Sequence, residues 1–345
     1  MGPFGGYRVF AIIVGSAMDS GQPKKRSGVT RKMEQLAQEV VLEVSKLRKT
    51  FGKVTAVEEI SFKVERGEIF TIIGPNGAGK TTTLEMIEGL QLPDEGKIII
   101  LNKSWAGQAD EIKLQIGVQP QASALFDLLT VEENLEVFAS FYDRQLPVKE
   151  IMSLINLTDH RGKRVVKLSG GQKQRLAIGL AIINDPDLIF LDEPTTGLDP
   201  QARRNIWDII LKLKQLGKTT ILTTHYMEEA EKLSDRVCIV DQGSIVAVDT
   251  PQALIGHLTK EREIHLSFTG GEAEAQQVES LVHPSVTHVE RNGNRLVLWS
   301  VQPELTLHHL FSYTIEQSIQ VEQVSIREMS LEDVFIAFTG KEWRD

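Results

Sequence analysis

Two largely apolar runs organise the middle of the chain. Glu68-Ile69-Phe70-Thr71-Ile72-Ile73 and Asp187-Leu188-Ile189-Phe190-Leu191-Asp192 have the length and continuity of parallel strands buried on both faces. Arg236-Val237-Cys238-Ile239-Val240 reads as a further strand. By contrast, Val41-Leu42-Glu43-Val44 and Ile60-Ser61-Phe62-Lys63-Val64 alternate apolar and polar residues, which predicts half-buried strands of an edge sheet around a Phe51-Gly52 turn. Helical spacing takes over after Thr81 and again around Leu176, Ile178, Leu180 and Ala181. Between Val131 and Val166 the chain is helix-rich, with apolar positions at Leu135, Phe138, Phe141 and Tyr142.

Near Leu254 the pattern changes. Glu263 to Phe268 alternates as a strand, Glu272 to Val282 reads as a helix, and Ser285 to Glu290 as a strand. Asn292-Gly293-Asn294 marks a tight turn into Arg295-Leu296-Val297-Leu298-Trp299, followed by a helix from Glu304 to Gln317 and a strand from Ile319 to Ile326. The order βαββαβ is that of a ferredoxin-like sandwich, a shape that hosts many functions and specifies none.

The candidate chemistry begins where the first buried run ends. Gly74-Pro75-Asn76-Gly77-Ala78-Gly79-Lys80-Thr81-Thr82-Thr83 completes G-x-x-x-x-G-K-[ST] between a strand and a helix, the context that makes this pattern a phosphate cradle. Glycines at 74, 77 and 79 let successive N–H groups point inward, and the helix N-terminus adds its positive dipole end. Lys80 reaches the terminal phosphates from there, and Thr81 offers a hydroxyl to Mg²⁺. The second run ends in Asp192-Glu193-Pro194, so its carboxyl end carries two acids on the usual ligand face of an open α/β sheet. Asp192 stands where a carboxylate would help hold Mg²⁺, and Glu193 where one could polarise an attacking water. Alone, such a strand end is as often a solvated acidic turn.

A third string narrows the reading. In Leu168-Ser169-Gly170-Gly171-Gln172-Lys173-Gln174-Arg175-Leu176, a polar, glycine-rich start opens an apolar helix and forms a second anion-directed helix N-terminus. With it the chain resembles the nucleotide-binding subunit of an ATP-binding cassette (ABC) transporter. The resemblance implies that Ser169, Gly170, Gly171 and Gln172 face the γ-phosphate held by a second copy, so that ATP joins two chains. It further implies that Phe51, where the family more often has Tyr, stacks on adenine, that Gln121 senses Mg²⁺ and the membrane partner, and that Asp199 crosses the dimer interface. His225 resembles the switch histidine that contacts the γ-phosphate and steadies Glu193. Lys80, Glu193 and His225 are therefore the expected catalytic groups. Phe51, Gly74, Pro75, Asn76, Gly77, Ala78, Gly79, Lys80, Thr81, Thr82, Gln121, Ser169, Gly170, Gly171, Gln172 and Asp199 are expected to bind nucleotide, and Thr81, Gln121 and Asp192 to bind metal.

The implied fold is α/β: a P-loop NTPase cassette with a RecA-like core, an antiparallel edge sheet and a helical subdomain, plus a small C-terminal α+β, ferredoxin-like domain. Expected boundaries are 1–40 for a basic, disordered extension, 41–258 for the cassette with its helical subdomain at about 128–167, and 260–345 for the accessory domain. The string Thr223-Thr224-His225-Tyr226-Met227-Glu228-Glu229-Ala230-Glu231 and the tail from Ser330 to Gly340 resemble ATPase subunits of bacterial exporters of drugs, antibiotics, lipids and polysaccharides. Many drug-export members carry Met where this chain has Gln172. The implied cofactors are ATP and Mg²⁺, and the implied partners a second cassette, identical or related, and a separate transmembrane permease.

Composition sets the outer limits. A chain of 345 residues, 41% hydrophobic and 25% charged, can bury a large core and has room for two domains. The single cysteine, Cys238, excludes an internal disulfide. No apolar run approaches the roughly 18 residues of a membrane span, so a transport path must come from another polypeptide. Residues 1–32 hold six basic groups against one acid. The remainder has 32 basic and 46 acidic groups, a net charge of −14. An acidic body disfavours phosphate-backbone binding, so no nucleic acid is expected. The apolar stretch Val9 to Val14 is short for a secretory signal and its basic cluster, Lys24-Lys25-Arg26, follows rather than precedes it. No signal peptide is therefore expected, Met33 is the expected natural start, and the expected location is the cytoplasmic membrane face. The alternatives are an importer subunit, and a cassette acting on ribosomes or DNA without transport.

Overall fold

The computed structural model describes residues 39–121, 125–258, 261–280 and 283–340. The predicted extension up to residue 38, Met33 within it, and the end of the helix predicted to reach Val282 lie outside the described residues.

The chain opens with a long antiparallel hairpin, β1 (Val40–Phe51) and β2 (Val54–Glu65), with Phe51 opposite Val54 across the turn. It then enters β3 (Ile69–Ile73) and helix α1 (Lys80–Ile87). Strands β4 (Glu95–Ile100) and β5 (Lys103–Ser104) return to the hairpin and complete a four-stranded sheet in the order β2-β1-β4-β5. After α2 (Trp105–Lys113) and β6 (Ile116–Gln119) comes the helical region: α3 (Val131–Ala139), α4 (Val148–Leu154) and α5 (Gly170–Ala181). Thr130 and Glu133 form a reciprocal capping box at the start of α3. The core resumes with β7 (Leu188–Asp192), α6 (Pro200–Gln215), β8 (Thr219–Thr224), α7 (Met227–Leu233), β9 (Arg236–Asp241) and β10 (Ser244–Asp249).

These strands make a six-stranded sheet, β10-β9-β3-β8-β7-β6, parallel from β9 to β6 with β10 antiparallel at one edge. Every residue of β3, β7 and β8 is buried, which is why their sequences lack alternation. Their successive side chains still face opposite ways. Leu188 and Phe190 join the core against the hairpin sheet, where the Phe62 and Phe70 rings stack at 5.0 Å, whereas Ile189 and Leu191 join the core under the helical region. The register sets Ile73 beside Thr224 and Asp192 beside Thr223, so the loops after β3, β7 and β8 leave the sheet at one level.

Helix α8 (Pro251–Gly256), capped by Thr250, leads to the second unit. There β11 (Arg262–Phe268), α9 (Glu272–Glu279), β12 (Val286–Asn292), β13 (Arg295–Ser300), α10 (Pro303–Glu316) and β14 (Val321–Arg327) form an antiparallel sheet ordered β12-β13-β11-β14. The two central strands are the first and third of the unit, as a ferredoxin-like arrangement requires. The last helix, α11 (Leu331–Thr339), does something the tail's resemblance did not reveal. Leu331, Val334 and Phe335 pack with Met227, Ala230 and Leu254 of the cassette, and the Leu331 N–H donates to Glu231 Oε1 at 2.6 Å. Physically, the end of the 260–345 segment is part of the first unit's core.

Candidate active site

The cradle is built by close approach as much as by glycine flexibility. Gly79 caps α1 with φ +97°, and a Cβ there would stand 2.3 Å from the Ala56 carbonyl oxygen. An L side chain is excluded on both counts. Lys80 begins the helix and is buried, its Nζ donating to the carbonyls of Gly74 at 2.8 Å and Pro75 at 3.2 Å. The same ammonium lies 3.6 Å from Glu193 Oε1. Burial lowers its pKa, against the opposing pull of Glu193.

Asp192 and Glu193 share a strand end but occupy different environments. Asp192 is buried and accepts hydrogen bonds at Oδ1 from Thr223 and, at 3.5 Å, from Thr81. Burial raises its pKa, the Thr223 bond works the other way, and the Glu193 charge adds to the rise. Glu193 adopts φ +45°, a left-handed conformation uncommon for a residue with a Cβ. Its N–H donates to Thr223 Oγ1 at 3.0 Å, and its Oε2 accepts from Thr196 Oγ1 at 3.0 Å. His225 Nδ1 stands 3.4 Å from the same Oε2. Thr223 thus braces both acids at once, a role that nothing in the local sequence around either acid foretells. Strand register brings it there, one step from the end of β8 and directly across from Asp192.

An open cleft of about 300 Å³ brings together Phe51, Asn76, Gly77, Gly79, Lys80, Thr81, Thr82, Gln121 and Glu193. Phe51 is 48% exposed and presents its ring to that space, with the Lys49 ammonium 5.6 Å from the ring centre. Gly74 and Pro75 bound the cradle through their carbonyls, and Ala78 is buried beneath it, its N–H on the Pro75 carbonyl. The cleft's lining does not include Ser169, Gly170, Gly171, Gln172 or Asp199. Ser169 and Gln172 instead cap each other at the start of α5, and Asp199 caps α6 by accepting from the Ala202 N–H at 2.9 Å. These two helix starts touch: a Cβ on Gly171 would lie 2.9 Å from the Ala202 Cβ. A groove of about 700 Å³ near Leu154, Pro186 and Leu216 lies at the opposite, amino ends of the strands and holds none of the phosphate-directed groups.

Hard oxygen donors dominate the acidic side of the cleft, as Mg²⁺ demands. Among the described residues no group of three or more His, Cys, Asp or Glu side chains forms a protein-only metal cage. The Thr81 and Asp192 oxygens fit the other mode, in which the cation is held by few protein groups and by substrate phosphates.

The ABC transporter family matches residues 57–196. The Nod factor export ATP-binding protein I of Ralstonia nicotianae is 38% identical over 315 residues, covering 88% of this chain and 95% of that protein. The linearmycin resistance ATP-binding protein LnrL of Bacillus subtilis is 34% identical over 311 residues, covering 88% of this chain and 100% of its own length. Among solved structures, the dimeric post-hydrolysis state of the ATP-binding cassette MJ0796 bound to ADP and Pi superposes with a TM-score of 0.55 at 28% identity, over 61% of this chain and 98% of that one. With a strand, phosphate loop and helix in register with two braced acids and a histidine, and with relatives matched along nearly their full lengths, this chain belongs to the ABC transporter family as one of its ATP-binding ATPase subunits.

Proposed function

We propose that two copies of this chain, or this chain and a related cassette, close head to tail around two Mg·ATP and drive export through a separate membrane permease. The observation that carries this reading is the meeting of Lys80 and His225 on the two carboxylate oxygens of Glu193, at 3.6 and 3.4 Å, with Lys80 and Glu193 both lining the cleft. Lys80 would bind the β- and γ-phosphates, and the cradle glycines would present backbone N–H groups to them. Glu193, with one oxygen on Thr196 and the other near Lys80, would polarise a water for attack on the γ-phosphorus. His225 would contact the γ-phosphate from the adjacent strand end. Mg²⁺ held at Thr81, Asp192 and Gln121 would neutralise charge on the transferred phosphoryl group. The caps at Ser169 to Gln172 and at Asp199, outside the lining of this chain's own cleft, would serve the partner's nucleotide.

Residues 41–258 would form the cassette and 260–345 an accessory domain. Just beyond Gln121, Leu128 and Phe141 are 76% and 67% exposed, and the Phe126, Phe138 and Phe141 rings form a chain with centroid spacings of 6.0 and 5.9 Å. A soluble chain seldom leaves such a cluster uncovered. It would receive a permease segment, placing the chain at the cytoplasmic face of the membrane. No helix among the described residues is long and apolar enough to cross a membrane. The names of the relatives, Nod factor export and linearmycin resistance, favour export as the direction.

Trapping Glu193→Gln with Mg·ATP in native membranes, solubilising gently and identifying the bound proteins by mass spectrometry tests the assignment. A polytopic membrane protein in stoichiometric amount is expected. Ribosomal or DNA-bound partners without a permease would overturn transport, and a co-purifying external substrate-binding protein would overturn export.

A further inference from the structure

Helix α6 starts at the Asp199 cap and carries Arg203 and Trp207 at successive steps of four residues. That spacing puts all three in one row along the helix. The row meets the beginning of α7. The Arg203 guanidinium lies 4.9 Å from the centre of the Tyr226 ring, and buried Trp207 donates from Nε1 to buried Glu229 Oε1 at 2.9 Å. Tyr226 directly follows His225, and their rings are 4.1 Å apart with a 44° tilt.

His225 needs such support. Its Nδ1 is buried and makes no hydrogen bond within the described residues, the 3.4 Å approach to Glu193 Oε2 being its nearest carboxylate contact. A histidine is normally oriented by the hydrogen bond on the nitrogen it does not use. Without that bond, the tilt of the imidazole is set by the surface it packs on, which is Tyr226. Tyr226 is also met by Arg203, whose delocalised, planar cation is suited to an aromatic face in a way an ammonium is not.

We infer that Arg203 is a positioning residue for ATP hydrolysis: by holding Tyr226 it fixes the orientation of His225 and ties that orientation to the helix capped by Asp199. The inference rests on the roles given above to His225 and Glu193. It assigns a physical link, through side chains of a single protomer, between the helix start that would meet the partner cassette and the histidine beside the attacking water. The Trp207 to Glu229 bond anchors the two helices one turn further on, so a shift at the Asp199 end is transmitted at the Arg203 contact rather than absorbed by sliding.

Steady-state ATPase kinetics of the full chain test this. Arg203→Ala and Tyr226→Ala are each expected to lower kcat about five- to tenfold, about 1–1.4 kcal/mol in the barrier, with KM within about twofold of wild type. Arg203→Lys should fall between, and Tyr226→Phe, which keeps the ring, should restore most of the loss. The double variant should be no slower than the worse single one, because both remove the same support. Wild-type kcat in Arg203→Ala, or losses that multiply in the double variant, would overturn the link. So would a change confined to KM. Should Tyr226→Ala not fold, the comparison of Arg203→Ala with Arg203→Lys and Tyr226→Phe still decides. Glu193→Gln run in the same assay reports separately on the underlying site: its retention of wild-type turnover would refute that site, whatever the Arg203 variants do.

Discussion

Two buried carboxyls, Glu193 and Glu88, are held in very different ways. Glu193 is committed on every side: backbone to Thr223, one oxygen to Thr196, the other facing Lys80. It also sits at φ +45°, a conformation costing on the order of 1–3 kcal/mol that persists only when its surroundings impose it. Glu88, just past α1, is buried with Oε1 lacking a hydrogen-bond partner among the described residues. Burial, with added repulsion from Asp192 and Glu85, raises its pKa from 4.5 to about 8. The folded chain therefore prefers it protonated, whereas the unfolded chain ionises it near 4.5. Its contribution to stability is complete below pH 4.5 and is lost as the pH rises toward 8. Glu88→Gln should flatten the pH dependence of urea unfolding between pH 5 and 8, by on the order of 2–4 kcal/mol at the upper end. Parallel profiles for the two proteins would contradict this. At this scale the sequence was legible where chemistry is contiguous, as from Gly74 to Thr83. It was silent on Thr223, Arg203 and Tyr226, whose partners are brought near by strand register and helix packing.

The strands and helices around the site were readable because each pattern has a local cause. The buried run of β3 and the alternation of β1 announce different burial, and the Ser169 to Gln172 capping box marks where α5 begins. Partner choice is a different matter. The apolar face of α11 says that the tail helix must be covered, yet not that Leu254, Met227 and Ala230 of the cassette will cover it. Only the three-dimensional arrangement selects that face. Phe335, fully within that contact, provides the test. Phe335→Ala should destabilise the chain by about 3–5 kcal/mol. The loss should fall on the calorimetric transition that ATP shifts upward, because ligand stabilises the unit that binds it. A variant that weakens only an ATP-insensitive transition would place α11 with the second unit instead.

For the molecule as a whole, the arrangement of the cleft and helix starts would make one copy insufficient under the proposed function. The cleft collects Lys80, Thr81 and Glu193, the groups proposed to hold phosphates and polarise water, while the Ser169 and Asp199 helix starts stand outside its lining. A second copy turned head to tail would bring its own Ser169 helix to this cleft, and ATP would then bind more tightly to the closed pair than to either open chain. That difference in affinity is what can do work on a permease. Glu193→Gln would remove the proposed water-polarising carboxylate while keeping the cradle glycines and Lys80 in place. The most direct test is the mass of that variant in solution, by size-exclusion chromatography with light scattering, with and without Mg·ATP, alongside its turnover. The account predicts a 38.5 kDa chain that doubles in mass with nucleotide and loses turnover by on the order of 10²- to 10³-fold. A variant that stays monomeric at saturating ATP and hydrolyses it at the wild-type rate would contradict it.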